Sequence, residues 1–193
     1  MGEREDDVAE SRVREIEART LLSATKTPDP WFGIKYTLNL YRGCLHRCIY
    51  CDSRSECYQI ENFNDTLVKV NALELLEREL RSKRLIGTIG FGSMSDPYAP
   101  VERIYNLSGQ ALEIIARHGF PVHLITKSDL VVKDLPALLE ISRVQCTVGF
   151  SLSTAEDALA RQVEPGAPLP SARLAAMRAL SAAGVAAGTI MMP

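Results

Sequence analysis

Three cysteines, Cys44, Cys48 and Cys51, fall within the single stretch Tyr41-Arg-Gly-Cys-Leu-His-Arg-Cys-Ile-Tyr-Cys. Soft thiolates this close in one loop can converge on one metal centre, and three of them satisfy three corners of an iron-sulfur cubane. The fourth iron of such a [4Fe-4S] cluster stays open to chelate a substrate or cofactor, whereas an electron carrier closes its cluster with a fourth cysteine. Two further chemistries draw on the same residues. A zinc ion could take the C-x2-C pair with His46 or Cys57 as an additional ligand, although a structural zinc site usually recruits a second ligand pair from a distant segment and none is evident. An iron-sulfur electron-transfer module without catalysis is the other. Five cysteines in all, three of them crowded together, argue against a secreted disulfide framework and for a reducing compartment. Cys146 lies in an apolar run and reads as core.

The elements that must position this loop follow from periodicity. Trp31 to Leu40 is extended and ends in a strand just before the cysteines. Beyond Leu67 helical segments with 3.6 periodicity alternate with short β-branched runs. Helices are predicted at Asn71 to Lys83, Asn106 to His118, Leu130 to Ile141, Ala155 to Arg161 and Ser171 to Ala183. Strands are predicted at Leu85 to Gly92, Val122 to Thr126, Gln145 to Ser151 and Ala187 to Met192. Such alternation specifies an α/β fold with a parallel sheet under covering helices, and ligands of such sheets gather at the carboxyl ends of the strands. The charged start, Asp6 to Leu22, carries Val8, Val13, Ile16 and Leu21 at spacings that suit a solvated amphipathic helix. The expected division is a charged helical appendage over residues 1–29 and a core domain over residues 30–193.

The 193 residues suffice for one sizeable domain, and 46% hydrophobic with 24% charged residues is the balance of a folded globular chain. Twenty-two basic against 24 acidic side chains give a net charge of -2, so no global field draws the protein to nucleic acid or anionic lipid. Arg78, Arg81, Lys83 and Arg84 form a local basic group at a helix C-terminus, where cations offset the dipole. No apolar run approaches the roughly 20 residues that span a bilayer, and Met1 to Asp7 is acidic rather than a basic signal segment. The expected location is the cytoplasm, with no membrane partner.

The pattern C-x3-C-x-aromatic-C, with Tyr50 as the aromatic, resembles the signature of the radical S-adenosylmethionine superfamily. Within it the chain is similar to the spore photoproduct lyase and DNA repair photolyase-like family. The resemblance runs through Tyr41 to Cys51, Gly90 to Tyr98, Thr126 to Asp129, Phe150-Ser151 and Glu164-Pro165-Gly166. It implies a partial (β/α)6 radical-SAM barrel, cut short after its fifth strand, with Cys44, Cys48 and Cys51 holding a [4Fe-4S] cluster. It also implies S-adenosyl-L-methionine as cofactor, cleaved reductively to a 5'-deoxyadenosyl radical that abstracts a hydrogen atom from substrate. Ser93, Ser95 and Asp96 would meet the methionine amino group, Lys127 its carboxylate and Ser151 the ribose. Tyr50 would pack near cluster and adenine, and the strand end Ile190 to Met192 would offer backbone groups to adenine. A low-potential electron donor such as flavodoxin or ferredoxin is the implied partner, with nucleic acid among the candidate substrates.

Two positions depart from the spore enzyme. Ser93 stands where that lyase has a hydrogen-donating cysteine, and a serine O–H bond is too strong to quench a carbon radical. Asp52 stands where the lyase has a tyrosine after the last cluster cysteine. Thymine-dimer splitting by the same hydrogen-return path is therefore not expected, and Cys57 could substitute as a donor only with its loop folded back over the site.

Overall fold

The computed structural model describes residues 13–55 and 65–191. In chain order the elements are β1 (Val13–Ile16), β2 (Leu22–Ala24), β3 (Ile34–Leu38), β4 (Tyr41–Arg42), β5 (Thr66–Lys69), α1 (Ala72–Ser82), β6 (Thr88–Phe91), α2 (Glu102–Tyr105), α3 (Leu107–His118), β7 (Val122–Thr126), α4 (Leu135–Ser142), β8 (Cys146–Ser151), α5 (Asp157–Val163), α6 (Pro170–Ala182) and β9 (Ala186–Ile190). The main sheet runs β2-β3-β6-β7-β8-β9, with β3 to β9 mutually parallel and β2 antiparallel at the β3 edge. A small sheet, β1-β5-β4, lies beside the cysteine loop. The architecture is mixed α/β, a mostly parallel sheet consistent with a partial radical-SAM barrel, and the sheet is open among the described residues. Among the described residues no helix is long and apolar enough to cross a membrane.

Alternation along each parallel strand separates a packed face from a working face. Ile89 and Phe91, Val122 and Leu124, then Cys146, Val148 and Phe150 are buried in one core. Leu75, Leu76 and Leu80 of α1 and Ala111, Leu112 and Ile115 of α3 fill the same core, spaced so that one stripe of each helix faces the sheet. The intervening residues point to the other side, where Ile125 of β7 and Ser151 of β8 line a cavity at the strand ends. Gly92, just past β6, has φ +87°, and a Cβ there would lie 2.2 Å from the Ile125 carbonyl oxygen, so only glycine lets the two strand ends approach.

The five predicted strands of the α/β alternation are all present, as β3, β6, β7, β8 and β9. The second is shorter than Leu85 to Gly92: Leu85 and Ile86 are exposed ahead of β6. The predicted helix at Leu130 to Ile141 divides into a 3-10 segment, Asp129–Asp134, and α4, which restarts with Pro136 in its first turn, where the missing N–H costs no hydrogen bond.

The amphipathic helix expected over Asp6 to Leu22 is overturned for its described part, where Val13–Ile16 and Leu22–Ala24 are strands. Local spacing suited a helix, but tertiary partners claim the backbone instead. β1 pairs in parallel with β5. The Asn71 side chain accepts from Ala18 N–H and donates to Ala18 C=O, both at 2.9 Å. The Glu79 carboxylate accepts the N–H groups of buried Leu21 and Leu22, each at 2.8 Å.

Glu79→Ala should therefore strand two buried amide donors. We expect a loss of about 2 to 3 kcal/mol, from the cost of buried donors left without a charged acceptor. Denaturant unfolding against wild type measures it, and a change within about 0.5 kcal/mol would mean that the 18–22 segment is held by other contacts.

Candidate functional site

The cysteine loop leaves β4 through Gly43, whose φ of 83° is a left-handed conformation, and turns again at Arg47 with φ 54°. Irregular backbone of this kind needs partners outside itself. Tyr41, at the entry, donates its phenolic O–H to Glu102, a carboxylate with no exposure that also accepts Ser108 N–H at 3.0 Å at the start of α3. The Tyr41 carbonyl accepts from Ser95 Oγ at 2.8 Å. Midway, His46 and Gly166 bond reciprocally: Gly166 N–H donates to His46 C=O at 2.9 Å, and His46 Nδ1 donates to Gly166 C=O at 3.1 Å. Ile49 N–H donates to Val163 C=O at 2.9 Å. A Cβ on Gly166 would fall 2.1 Å from Leu45 C=O, so this clasp admits glycine alone.

The loop forms one wall of a cavity of about 410 Å³ at the carboxyl ends of the strands. Cys44, Cys48, Cys51, Tyr50, Ser93, Ser95, Asp96, Lys127 and Ser151 all line it. Met192 lies outside the described residues, and so does Cys57. Cys44 and Cys48 are buried, Cys51 is half-buried, and all three are free thiols. Among the described residues no three His, Cys, Asp or Glu side chains gather at single-ion distance. The three thiols line one cavity, and their donor chemistry suits the corners of an iron-sulfur cluster.

Burial pushes the Cys44 thiol up to about 12, with nearby Asp96 adding to the effect. Burial also raises Cys48, against which the Lys127 ammonium pulls downward. Cys44 and Cys48 are thus protonated at neutral pH, and a metal centre that takes them as thiolates must expel those two protons. For Asp96 desolvation acts upward, but His46 and hydrogen bonds from Lys127 N–H and Thr126 hold its carboxyl down at about 2. Its Oδ1 accepts from Thr126 Oγ1 at 2.7 Å and Tyr98 N–H at 2.8 Å, and its Oδ2 from Lys127 N–H at 2.7 Å. His46 Nε2 stands 3.2 Å from Oδ2. The three donors from Thr126, Tyr98 and Lys127 fix the Asp96 carboxylate in the cavity lining and leave about one of its roughly four acceptor sites. Ser93, by contrast, is exposed at the cavity wall.

Sequence reasoning missed part of this arrangement. The sequence offers His46 only as a zinc ligand, whereas in the fold it is the centre of the loop clasp. Glu164 and Gly166 stood out only within a resembling segment, while Arg173 gave no signal. Arg173 has no exposure and ion-pairs with Glu164, which in turn accepts from the Tyr50 phenol. A buried arginine inside an otherwise ordinary helix cannot be told from a surface one by spacing. The basic group at the end of α1 is partly neutralised, since Glu77 pairs with Arg81 at 2.8 Å and with Arg117 at 3.1 Å.

A model of the Radical SAM superfamily matches residues 38–193. An uncharacterized protein of Mycobacterium tuberculosis is 36% identical over 168 residues, 82% of this chain and 49% of its own length. Another, from Methanocaldococcus jannaschii, is 30% identical over 176 residues, 90% of this chain and 64% of its own. The chain thus spans less than two thirds of the length of these relatives. Among solved structures, a spore photoproduct lyase variant with bound S-adenosylmethionine and dinucleoside spore photoproduct has a TM-score of 0.71 at 22% identity. That likeness, over 94% of this chain and 51% of the lyase chain, is one of fold.

The clasp makes a sharp prediction. Gly166→Ala should push the loop away from the α5–α6 connection, lowering the thermal midpoint and the iron and sulfide retained after anaerobic reconstitution to under half of wild type. Ala183→Ser, at an exposed position beyond α6, is the control and should match wild type. Full loading of the Gly166→Ala protein would show that the clasp does not position the loop.

Proposed function

The chain belongs to the radical SAM superfamily, and from that premise we propose that it is a radical S-adenosylmethionine enzyme, lyase-like in type, in which Cys44, Cys48 and Cys51 hold a [4Fe-4S] cluster. The observation that carries this reading is the convergence of three free thiols with Ser95, Lys127 and Ser151, from successive strand ends, on one cavity. When bound, cluster and cofactor would together supply reductive cleavage of S-adenosylmethionine and a radical able to abstract hydrogen from substrate.

The residues divide the work of binding. Lys127, its backbone fixed by Asp96, presents a cation for the methionine carboxylate. Ser93 offers an oxygen to the ammonium, and Ser95 keeps lone pairs for it while its own proton goes to Tyr41 C=O. Ser151 faces the ribose from the end of β8, and Tyr50 lies between loop and cavity as an aromatic wall. The largely apolar surroundings, with Ile125, Leu152 and Ile190, limit water near a reactive centre. A low-potential donor such as flavodoxin or ferredoxin would provide electrons in the cytoplasm. The substrate class stays open to nucleic acid, and Ser93 and Asp52 support a hydrogen-return path different from that of the spore enzyme.

The decisive experiment reconstitutes iron and sulfide anaerobically, reduces with dithionite and measures 5'-deoxyadenosine formed from S-adenosylmethionine. Cys44→Ala, Cys48→Ala and Cys51→Ala should each abolish stable cluster assembly, and Cys146→Ala, which removes a buried core thiol, should lose stability but no iron. Wild-type iron in all three loop variants would overturn the ligand assignment. Lys127→Ala should keep the cluster and weaken S-adenosylmethionine binding by about 1.5 to 3 kcal/mol, the range for a charge-assisted hydrogen bond. An unchanged paramagnetic resonance signal with saturating cofactor, and no 5'-deoxyadenosine, would leave only an electron carrier.

A further inference from the structure

Behind the cavity wall lies an ion pair whose two members do not themselves line the cavity. Arg173 of α6 has no exposure, and Glu164, after α5, is 2% exposed. All the hydrogen bonds that Arg173 makes go to the protein: Nε donates to Pro168 C=O at 2.7 Å, Nη1 to Ser151 C=O at 2.9 Å, and Nη2 to Glu164 Oε2. Glu164 Oε1 accepts from the Tyr50 phenol and from Ser153 Oγ, the latter at 3.1 Å. Tyr50, Ser151 and Ser153 each line the cavity, whereas Glu164 and Arg173 do not. Lys127 Nζ sits over the Tyr50 ring, 5.7 Å from its centroid, a cation–π distance.

A buried ion pair is costly to desolvate, and an apolar pair of similar volume is often as stable. Stability is thus a poor account of why two charges sit here. Their common output is geometric: one carboxylate fixes a tyrosine of the cysteine loop and a serine after β8, while its arginine fixes the end of β8. We infer that Glu164 and Arg173 are positioning residues that hold Tyr50 and Ser151 in the arrangement that binds S-adenosylmethionine, with Lys127 held over the Tyr50 ring. The inference rests on the function proposed above and adds to it a determinant of cofactor affinity lying outside the cavity.

Two variants test it. The double variant Glu164→Leu/Arg173→Met removes both charges together and leaves neither unpaired. Tyr50→Phe keeps the ring and removes only the hydroxyl that Glu164 holds. After reconstitution, the double variant should keep wild-type iron content and a thermal midpoint within a few degrees of wild type. Its dissociation constant for S-adenosylmethionine, by equilibrium dialysis, should rise about tenfold. In 5'-deoxyadenosine formation KM should rise by a similar factor with kcat nearly retained. Tyr50→Phe should move affinity in the same direction by about threefold. Without cofactor, the Ile49 amide, bonded to Val163 C=O, should exchange hydrogen faster in both variants.

A merely structural pair would give the opposite pattern, less iron and a lower midpoint with normal affinity in the loaded fraction, and that result overturns the inference. If the double variant does not fold, Tyr50→Phe decides alone, and unchanged affinity together with unchanged Ile49 exchange overturns it. Failure of the wild-type protein to bind S-adenosylmethionine would strike the proposed function instead. In that event the cofactor-free exchange of Ile49 still decides whether the pair holds the loop.

Discussion

The reciprocal pair of bonds between His46 and Gly166, one through the backbone and one through the imidazole, is the contact on which the rest of the site depends. It joins the middle of an irregular loop to the connection between α5 and α6, at a separation that leaves no room for a side chain at position 166. Three thiols in one loop are of use only if their directions are fixed, and the loop has no helix or sheet ladder of its own to fix them. The clasp supplies that rigidity from outside, and His46 extends it towards Asp96 and thereby to the strand end that carries Lys127.

The two tyrosines that flank the first two cysteines are held in the same manner. Tyr41 donates to Glu102 and Tyr50 to Glu164, and each carboxylate has a cation beside it, Lys133 at 3.4 Å in the first case and Arg173 in the second. Burial, with the adjacent carboxylate, keeps both phenols well above their ordinary pKa, so each remains a donor. Charges this deep are tolerated only because the surrounding backbone and side chains satisfy them, as the N–H groups of α3 do for Glu102. The polar brackets therefore sit at the ends of the loop, while the sheet beneath is packed with apolar side chains.

The parallel sheet makes this possible by dividing its labour. One face of each strand is fixed in a core with α1 and α3, which leaves the carboxyl ends free to carry Ser93, Ser95, Lys127 and Ser151 on short loops. Small residues at those ends let neighbouring loops come close, and Gly92 against the Ile125 carbonyl is the tightest case. The cavity thus arises where rigid strands stop and irregular backbone begins.

Periodicity alone revealed the alternation of β3, β6, β7, β8 and β9 with their helices, because burial on one face leaves a regular mark in the chain. The cysteine spacing by itself pointed to a metal or cluster site, since thiol chemistry depends on residue type and local separation. The strands within residues 13–24 were not legible. β5, Asn71 and Glu79, which hold β1 and the backbone of residues 18–22, lie more than 40 residues away, and nothing local encodes such distant hydrogen bonds, whereas β2 takes its ladder from the nearer β3. The same reason hid the roles of His46, Glu164, Gly166 and Arg173. Each acts through a contact outside its own element, so its identity could be read from the chain while its partner was decided only when the tertiary structure brought the two together.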